Sequence, residues 1–248
     1  MKIYLDCCLF VLQTIKSDDK RKNDIKKLKL VVDKNNNLIS IPFKKESNIK
    51  DSIRNKIIDV IGSNNFHLEQ VHTFGETKFY NCGLIIAYLG ITNYENIKKL
   101  NEDYKLIDFE LIGKNEVKFD NKIIKYNTIT KRINNSLEYS YDIDTKDLNL
   151  ELKITELLTS YKKIVLKLDN SDIIYKFLPK YFALEDVRII YEKLKDTKVD
   201  KSNFRKKIIK YCKPTDMIVK DKGYRPTQLY EAIMTNYEIW LEKRKMIK

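Results

Sequence analysis

The sequence predicts an α+β chain built from two units, and three observations predict it. Up to about residue 141, β-forming apolar runs outnumber helical patterns, as in a strand-rich mixed domain. Next, Leu150, Ile154, Leu157, Leu158, Tyr161, Val165 and Leu168 recur at helical spacing and define one long amphipathic helix. Last, two short helical patterns, 184–194 and 201–211, are followed by a basic turn around a glycine. At 248 residues the chain is long enough to bury a core without disulfides or metals.

Taken in order, residues 2–13 and 28–32 are apolar and rich in β-formers, so both are predicted strands. The charged interval 16–27 between them is predicted to be a solvated loop. Residues 39–43 form a third strand-like patch, ended by Pro42. Ile49, Ile53, Ile57, Val60 and Ile61 then predict a helix over 48–61, with Asn48 as N-cap and Gly62 as C-cap. Residues 68–74 and 82–91 are predicted strands, the second apolar enough for burial on both faces. A short helix over 94–100 and β-like pieces at 104–112, 115–126 and 129–141 follow. The polar stretch 141–147 marks the boundary. The predicted organisation is a domain over 1–145, a coupling helix over 146–170 and a basic domain over 171–248.

A net charge of +13 points toward polyanionic partners. Its location says more, because residues 171–248 carry 19 Lys and Arg against 11 Asp and Glu, net +8. Cysteines at 7, 8, 82 and 212 form no CxxC pair and accompany two histidines, so no metal site, disulfide framework or cofactor is expected. Cys7 and Cys8, adjacent in a strand, point to opposite faces. No apolar run approaches the roughly 18 residues that span a bilayer, and the first residues lack a signal-peptide layout, so a cytoplasmic, non-membrane protein is expected.

The C-terminal pattern reads as a winged helix-turn-helix for double-stranded DNA. In the helix over 184–194, Leu184, Val187, Ile190, Tyr191 and Leu194 form a core-facing stripe. In the next helix, Phe204, Ile208 and Tyr211 share one arc, while Asn203, Lys206, Lys207 and Lys210 cluster on another. A recognition helix needs this segregation, because one face anchors to the core while the other enters a major groove. Asn203, Arg205 and Arg225 are the candidate base readers, since asparagine and arginine can bond base edges bidentately. Lys201, Ser202, Lys206, Lys207 and Lys210 complete the helix side of the site. Lys220 and Lys222 flank Gly223 at the tip of the predicted wing.

Several blocks of this region, in order and spacing, carry a resemblance. Phe177-Leu178-Pro179-Lys180-Tyr181-Phe182-Ala183-Leu184, Ile190-Tyr191-Glu192, Asp200 to Ile208 and Gly223-Tyr224-Arg225-Pro226-Thr227-Gln228-Leu229-Tyr230 resemble the winged helix of NrtR-type Nudix-related transcriptional regulators. Ala183 stands where that family usually has threonine. Val71-His72-Thr73-Phe74-Gly75-Glu76 and Leu84 to Leu89 are similar to its Nudix-like strand pair. The resemblance implies a Nudix-like α/β/α sandwich followed by a winged helix, acting as a homodimer. It also implies an effector site for an ADP-ribose-like nucleotide and operators of NAD-metabolism genes.

The Nudix motif is broken here. Aligning Gly62 with its terminal glycine places Ile41 at the leading glycine, Asn55 at the arginine, Lys56 at the first glutamate, and Asp59 and Val60 at the glutamate pair. One carboxylate is too few to hold magnesium against water. The expectation is a catalytically inactive sensor domain, with Lys44, Lys45, Arg54 and Asp59 as the candidate effector contacts, in a repressor. Two alternatives stay open. One is a divergent Nudix hydrolase drawing carboxylates from Glu46, Asp51 or Glu76, and the other is an interaction module whose basic face binds RNA or acidic protein.

Overall fold

The strand β1 (Lys2–Ile15) is buried on both sides, and its alternation sets the layers of the first unit. Leu5, Cys7, Leu9 and Val11 pack with Ile53, Ile57, Val60 and Ile61 of helix α1 (Ile49–Ile61). On the opposite face, the Phe10 ring meets those of Phe109 at 5.4 Å and Tyr161 at 6.4 Å, and Tyr161 belongs to helix α2 (Leu148–Lys167). One helix thus covers each face of the sheet. Cys7 and Cys8 do point to opposite layers, and both are fully buried.

In the computed structural model, residues 2–17, 24–45, 48–75, 83–133, 136–219 and 226–233 are described. Cys82, Glu46, Glu76 and the predicted wing-tip residues Lys220, Lys222, Gly223, Tyr224 and Arg225 lie outside them. The chain divides into two compact units, Met1–Val11 with Leu28–Lys163, and Leu12–Lys27 with Ile164–Lys248.

The remaining strands are β2 (Ile25–Asp33), β3 (Ile39–Pro42), β4 (His67–Phe74), β5 (Gly83–Asn93), β6 (Tyr104–Ile112), β7 (Glu116–Phe119), β8 (Lys122–Ile133) and β9 (Ser136–Ile143). They run in the order β4-β5-β1-β2-β6-β7-β8-β9, with β3 paired antiparallel to β1. Helix α1 begins and ends as its sequence predicts. The Asn48 side chain accepts the N–H groups of Lys50 and Asp51, and Gly62 closes the helix at φ 65°. An L side chain there would be strained and its Cβ would lie 3.1 Å from the Lys99 backbone nitrogen. Each of the four buried aliphatic residues of α1 contributes about 1.5–3 kcal/mol of apolar burial.

Two expectations need correction and one is refined. The helix predicted over 94–100 is a single 3-10 turn, Tyr94–Asn96. Its continuation is pre-empted because Lys98 and Asn101 donate their N–H groups to the carbonyls of Ile61 and Val60 at the end of α1. The piece over 115–126 is a hairpin, β7 and β8, turning through Asp120 at φ 57°. At the end of the interval 16–27, Lys26 is not simply solvated, since its side chain is nearly buried, bonding Thr14 Oγ1 at 3.0 Å and pairing with Asp186 at 2.8 Å.

Helix α2 also differs in detail. Ile164, fully buried, takes the core position expected for Val165, which is half-buried. Thr155, Glu156 and Ser160 are buried as well, so the middle of α2 is covered nearly all round.

The second unit holds a 3-10 turn (Ile173–Phe177), α3 (Leu184–Lys195), α4 (Lys201–Ile209), β10 (Cys212–Val219) and β11 (Thr227–Ala232). β10 and β11 pair antiparallel, and Tyr230 of β11 exchanges two backbone hydrogen bonds with Phe182. β10 escapes sequence reading because Pro214 interrupts it and its alternation is weak. α3 starts at Ala183 with no side-chain cap.

Candidate nucleic-acid interface

The polar N-cap Asp200 starts α4, its carboxylate accepting the Asn203 N–H at 2.8 Å. Phe204 and Ile208, one turn apart, are its buried anchors, and the Phe204 ring lies 5.0 Å from the Tyr191 ring of α3. Tyr211, expected as a third anchor, is half-buried beyond the helix end. At about 100° per residue, Ser202, Asn203, Lys206 and Lys210 fall opposite the anchors, with Lys201, Arg205 and Lys207 on the flanks. All seven are exposed.

The flanking cations are tied to the scaffold. Lys201 pairs with Glu185 at 3.5 Å, Arg205 Nη2 donates to the Tyr230 hydroxyl at 3.4 Å, and Lys207 pairs with Asp169 at 3.0 Å. Lys206 makes no ion pair among the described residues, and the Lys210 ammonium lies over the Tyr211 ring at 4.8 Å. The face presented outward therefore carries Ser202, Asn203, Lys206 and Lys210 beside the exposed Ile209. Arg205 and Lys207 stand at its edges. The predicted wing contacts Lys220, Lys222 and Arg225 lie outside the described residues.

The turn between the helices is held by residues that sequence reading passed over. Asp196 takes the left-handed conformation at φ 48°, and its N–H and that of Thr197 return to the Glu192 carbonyl. The buried Glu192 carboxylate accepts the Val199 N–H at 3.0 Å and Arg188 Nη1 at 2.5 Å, while Arg188 also forks onto Glu185. The spacing of Glu185, Arg188 and Glu192, three and four residues apart, was the signal that marks this lattice in the sequence.

Asp169, in the turn after α2, is the second such residue. Its carboxylate takes hydrogen bonds from the Tyr191 hydroxyl at 2.7 Å, from Lys207 at 3.0 Å and from Lys195. Burial alone would raise its pKa, but these donors hold the carboxyl well below the usual range. Its partners are 22 to 38 residues away, so no local pattern announces it.

In the first unit, a cleft of about 710 Å³ opens at the start of α1, lined by Phe43, Asn48, Lys50, Leu68, Gln70 and Tyr88 among others. The four residues predicted to meet an effector do not gather there. Lys44 and Lys45 are exposed between β3 and α1, Arg54 lies over the Phe66 ring at 5.1 Å, and Asp59 is exposed further along α1. The Lys56 ammonium lies over the Tyr104 ring at 5.3 Å. Among the described residues no cluster of three or more His, Cys, Asp or Glu is placed to hold a metal ion. No described helix is long and apolar enough to cross a membrane.

Residues 174–232 match the family model for the NrtR DNA-binding winged helix domain. This C-terminal domain is an NrtR-type winged helix. The fold of the whole chain agrees with that assignment. A MutT/nudix family protein from Enterococcus faecalis superposes with a TM-score of 0.64 at 15% identity, covering 94% of this chain and 88% of that one. Shewanella oneidensis NrtR, complexed with a 27mer DNA, superposes with a TM-score of 0.61 at 13% identity, covering 93% of each chain. In sequence, no curated protein matches the chain. The fold is therefore Nudix-like in the first domain and an NrtR-type winged helix in the second, as the sequence predicts.

Proposed function

We propose that the chain is a DNA-binding transcriptional regulator in which the winged helix reads double-stranded DNA and the Nudix-like domain senses a nucleotide. The observation that carries this reading is the outward face of α4 within an NrtR-type domain. Asn203 supplies an amide able to bond an adenine edge, and Lys206 and Lys210, further along the same face, supply phosphate contacts. Titration against duplex DNA from upstream of its own gene tests it. Binding should exceed that to random duplex and weaken with salt by about 0.9 in log–log slope per phosphate neutralised. Equal affinity for random duplex, RNA and heparin would instead identify a general polyanion module.

The first domain acts as a sensor and not as a hydrolase in this reading. Asp59 is the one acid left in the motif, and a lysine cation sits at the position of a metal ligand. The cleft at the start of α1 offers Phe43 and Tyr88 as ring surfaces and Lys50 as a cation, a set suited to an ADP-ribose-like nucleotide. ADP-ribose should shift the chain's melting temperature without releasing AMP in the presence of magnesium. Magnesium-dependent AMP release would overturn the sensor assignment. The reading extends to a cytoplasmic homodimeric repressor, with domain limits at 1–145, 146–170 and 171–248. Sedimentation of the complex at two chains per operator tests the dimer.

A further inference from the structure

Two ammonium groups and a phenol converge on the Asp169 carboxylate. Lys195 and Tyr191 come from α3, Lys207 comes from α4, and the carboxylate lies in the turn that follows α2. Hydroxyl and ammonium donors around an anionic oxygen are what a DNA backbone phosphate receives from a protein. Tyr191 is buried and Lys195 mostly so, whereas the Lys207 side chain is half exposed, on the flank of the helix whose outward face carries Asn203, Lys206 and Lys210. Of the donors around Asp169, Lys207 is therefore the one with a choice of partner.

We propose that Asp169 is a positioning residue that holds Lys207 in place of a backbone phosphate, and so limits how many phosphates the recognition helix neutralises. The proposal rests on the DNA-binding reading above and adds to it a residue that touches no DNA. Its logic is electrostatic. The single Asp169 carboxylate cancels one of the two ammonium charges gathered on it, so Lys195 and Lys207 together bring one net charge to this edge and not two, and exchanging that carboxylate for a phosphate at Lys207 gains little, because both are anionic oxygens bonded by the same ammonium. Lys206, with no ion pair among the described residues, has no such internal competitor. Lys207 also lies 5.8 Å from the centre of the Tyr191 ring, a second contact that keeps it on the flank.

The test uses the full chain and a duplex from upstream of its own gene, with affinity measured as a function of salt. Lys207→Gln should leave the salt slope of the otherwise unaltered chain unchanged. Asp169→Asn should tighten binding at low salt and steepen the slope by about 0.9, so that the gain shrinks roughly threefold between 50 and 200 mM salt. The double variant Asp169→Asn/Lys207→Gln should return to the original slope. Two results overturn the proposal: a slope flattened by about 0.9 in Lys207→Gln alone, which makes Lys207 an ordinary phosphate contact, or weaker binding at unchanged slope in Asp169→Asn, which reduces Asp169 to scaffolding. Lys207 is an exposed surface residue, so its variant decides the matter even where Asp169→Asn lowers stability, as a melting curve would show. A chain that binds no duplex at all removes the regulator reading first, and this inference with it.

Discussion

Helices α1 and α4 are built alike and present opposite chemistry. Each starts at a polar N-cap, Asn48 or Asp200, whose side chain accepts N–H groups of the first turn, and each is anchored by buried apolar residues one turn apart. On α1, Arg54 and Lys56 lie over aromatic rings, and Asp59 is exposed. On α4, the residues opposite the anchors are Ser202, Asn203, Lys206 and Lys210, and the cations with internal partners are displaced to the flanks. The backbone and the core contacts make the helix, while a few side chains on the far side decide whether it does anything. Experiments on the two helices can separate these contributions.

The largest effect is expected from the anchor. Phe204→Ala removes a buried ring packed against Tyr191 and should cost about 3–5 kcal/mol, enough to abolish duplex binding and lower the melting transition of the second unit. A variant that melts like the parent yet fails to bind would show that Phe204 acts at the interface and not in the core.

Next comes a stabilising substitution in the first unit. Glu156 on α2 is 1% exposed, and one of its carboxylate oxygens has no hydrogen-bond partner among the described residues. Burial, with a smaller contribution from the nearby Asp6 charge, pushes its pKa well above the ordinary value, against the attraction of Lys153. Burial likewise raises Asp6 to about 6, opposed by the hydrogen bond from Ser40. Both groups bind protons more tightly in the folded chain. Their contribution is full below their unfolded pKa values and is lost as pH rises through the folded ones, for Asp6 between about 4 and about 6. Glu156→Gln should therefore stabilise the chain by about 1–3 kcal/mol at pH 8 and by less at pH 5. The same Tm difference at both pH values would mean that the folded carboxyl is not held neutral.

Much of this was readable in the sequence. Isoleucines at helical spacing between Asn48 and Gly62 located α1 and both its caps, and the Asn203 to Ile208 pattern located α4 with its anchors. What was missed depends on distant partners. The end of the 3-10 turn at Asn96 follows from hydrogen bonds to the last carbonyls of α1, and the burial of Glu156 and Ser160 follows from α2 being covered nearly all round. Ile164 and Val165 are both apolar and adjacent, so periodicity alone does not choose between them. The partners that hold Lys207 and Arg205 at the edges of the outward face of α4, Asp169 and Tyr230, lie 38 and 25 residues away in the chain.

The two caps test how far the likeness of α1 and α4 goes. Asn48→Ala and Asp200→Ala each remove a side-chain acceptor for first-turn N–H groups and should each cost about 1 kcal/mol. Losses of equal size, read as shifts in denaturant midpoint at constant slope, would confirm a shared construction. A cost well above that at Asp200 alone would show that the turn after α3 depends on its charge.

The smallest change in free energy, and the one that separates the two faces, comes from single lysines. Lys206→Gln should flatten the salt dependence of duplex binding by about 0.9 and weaken affinity a few-fold, because an exposed ammonium with no ion pair among the described residues counts as one phosphate contact. Lys56→Gln on α1, whose ammonium lies over the Tyr104 ring, should leave that slope unaltered, although the residue type and the change of charge are identical. A flattened slope in both variants would mean that the chain binds DNA through its overall positive charge. In that case the segregation of α4 into an anchored face and a presented face is not what selects the duplex.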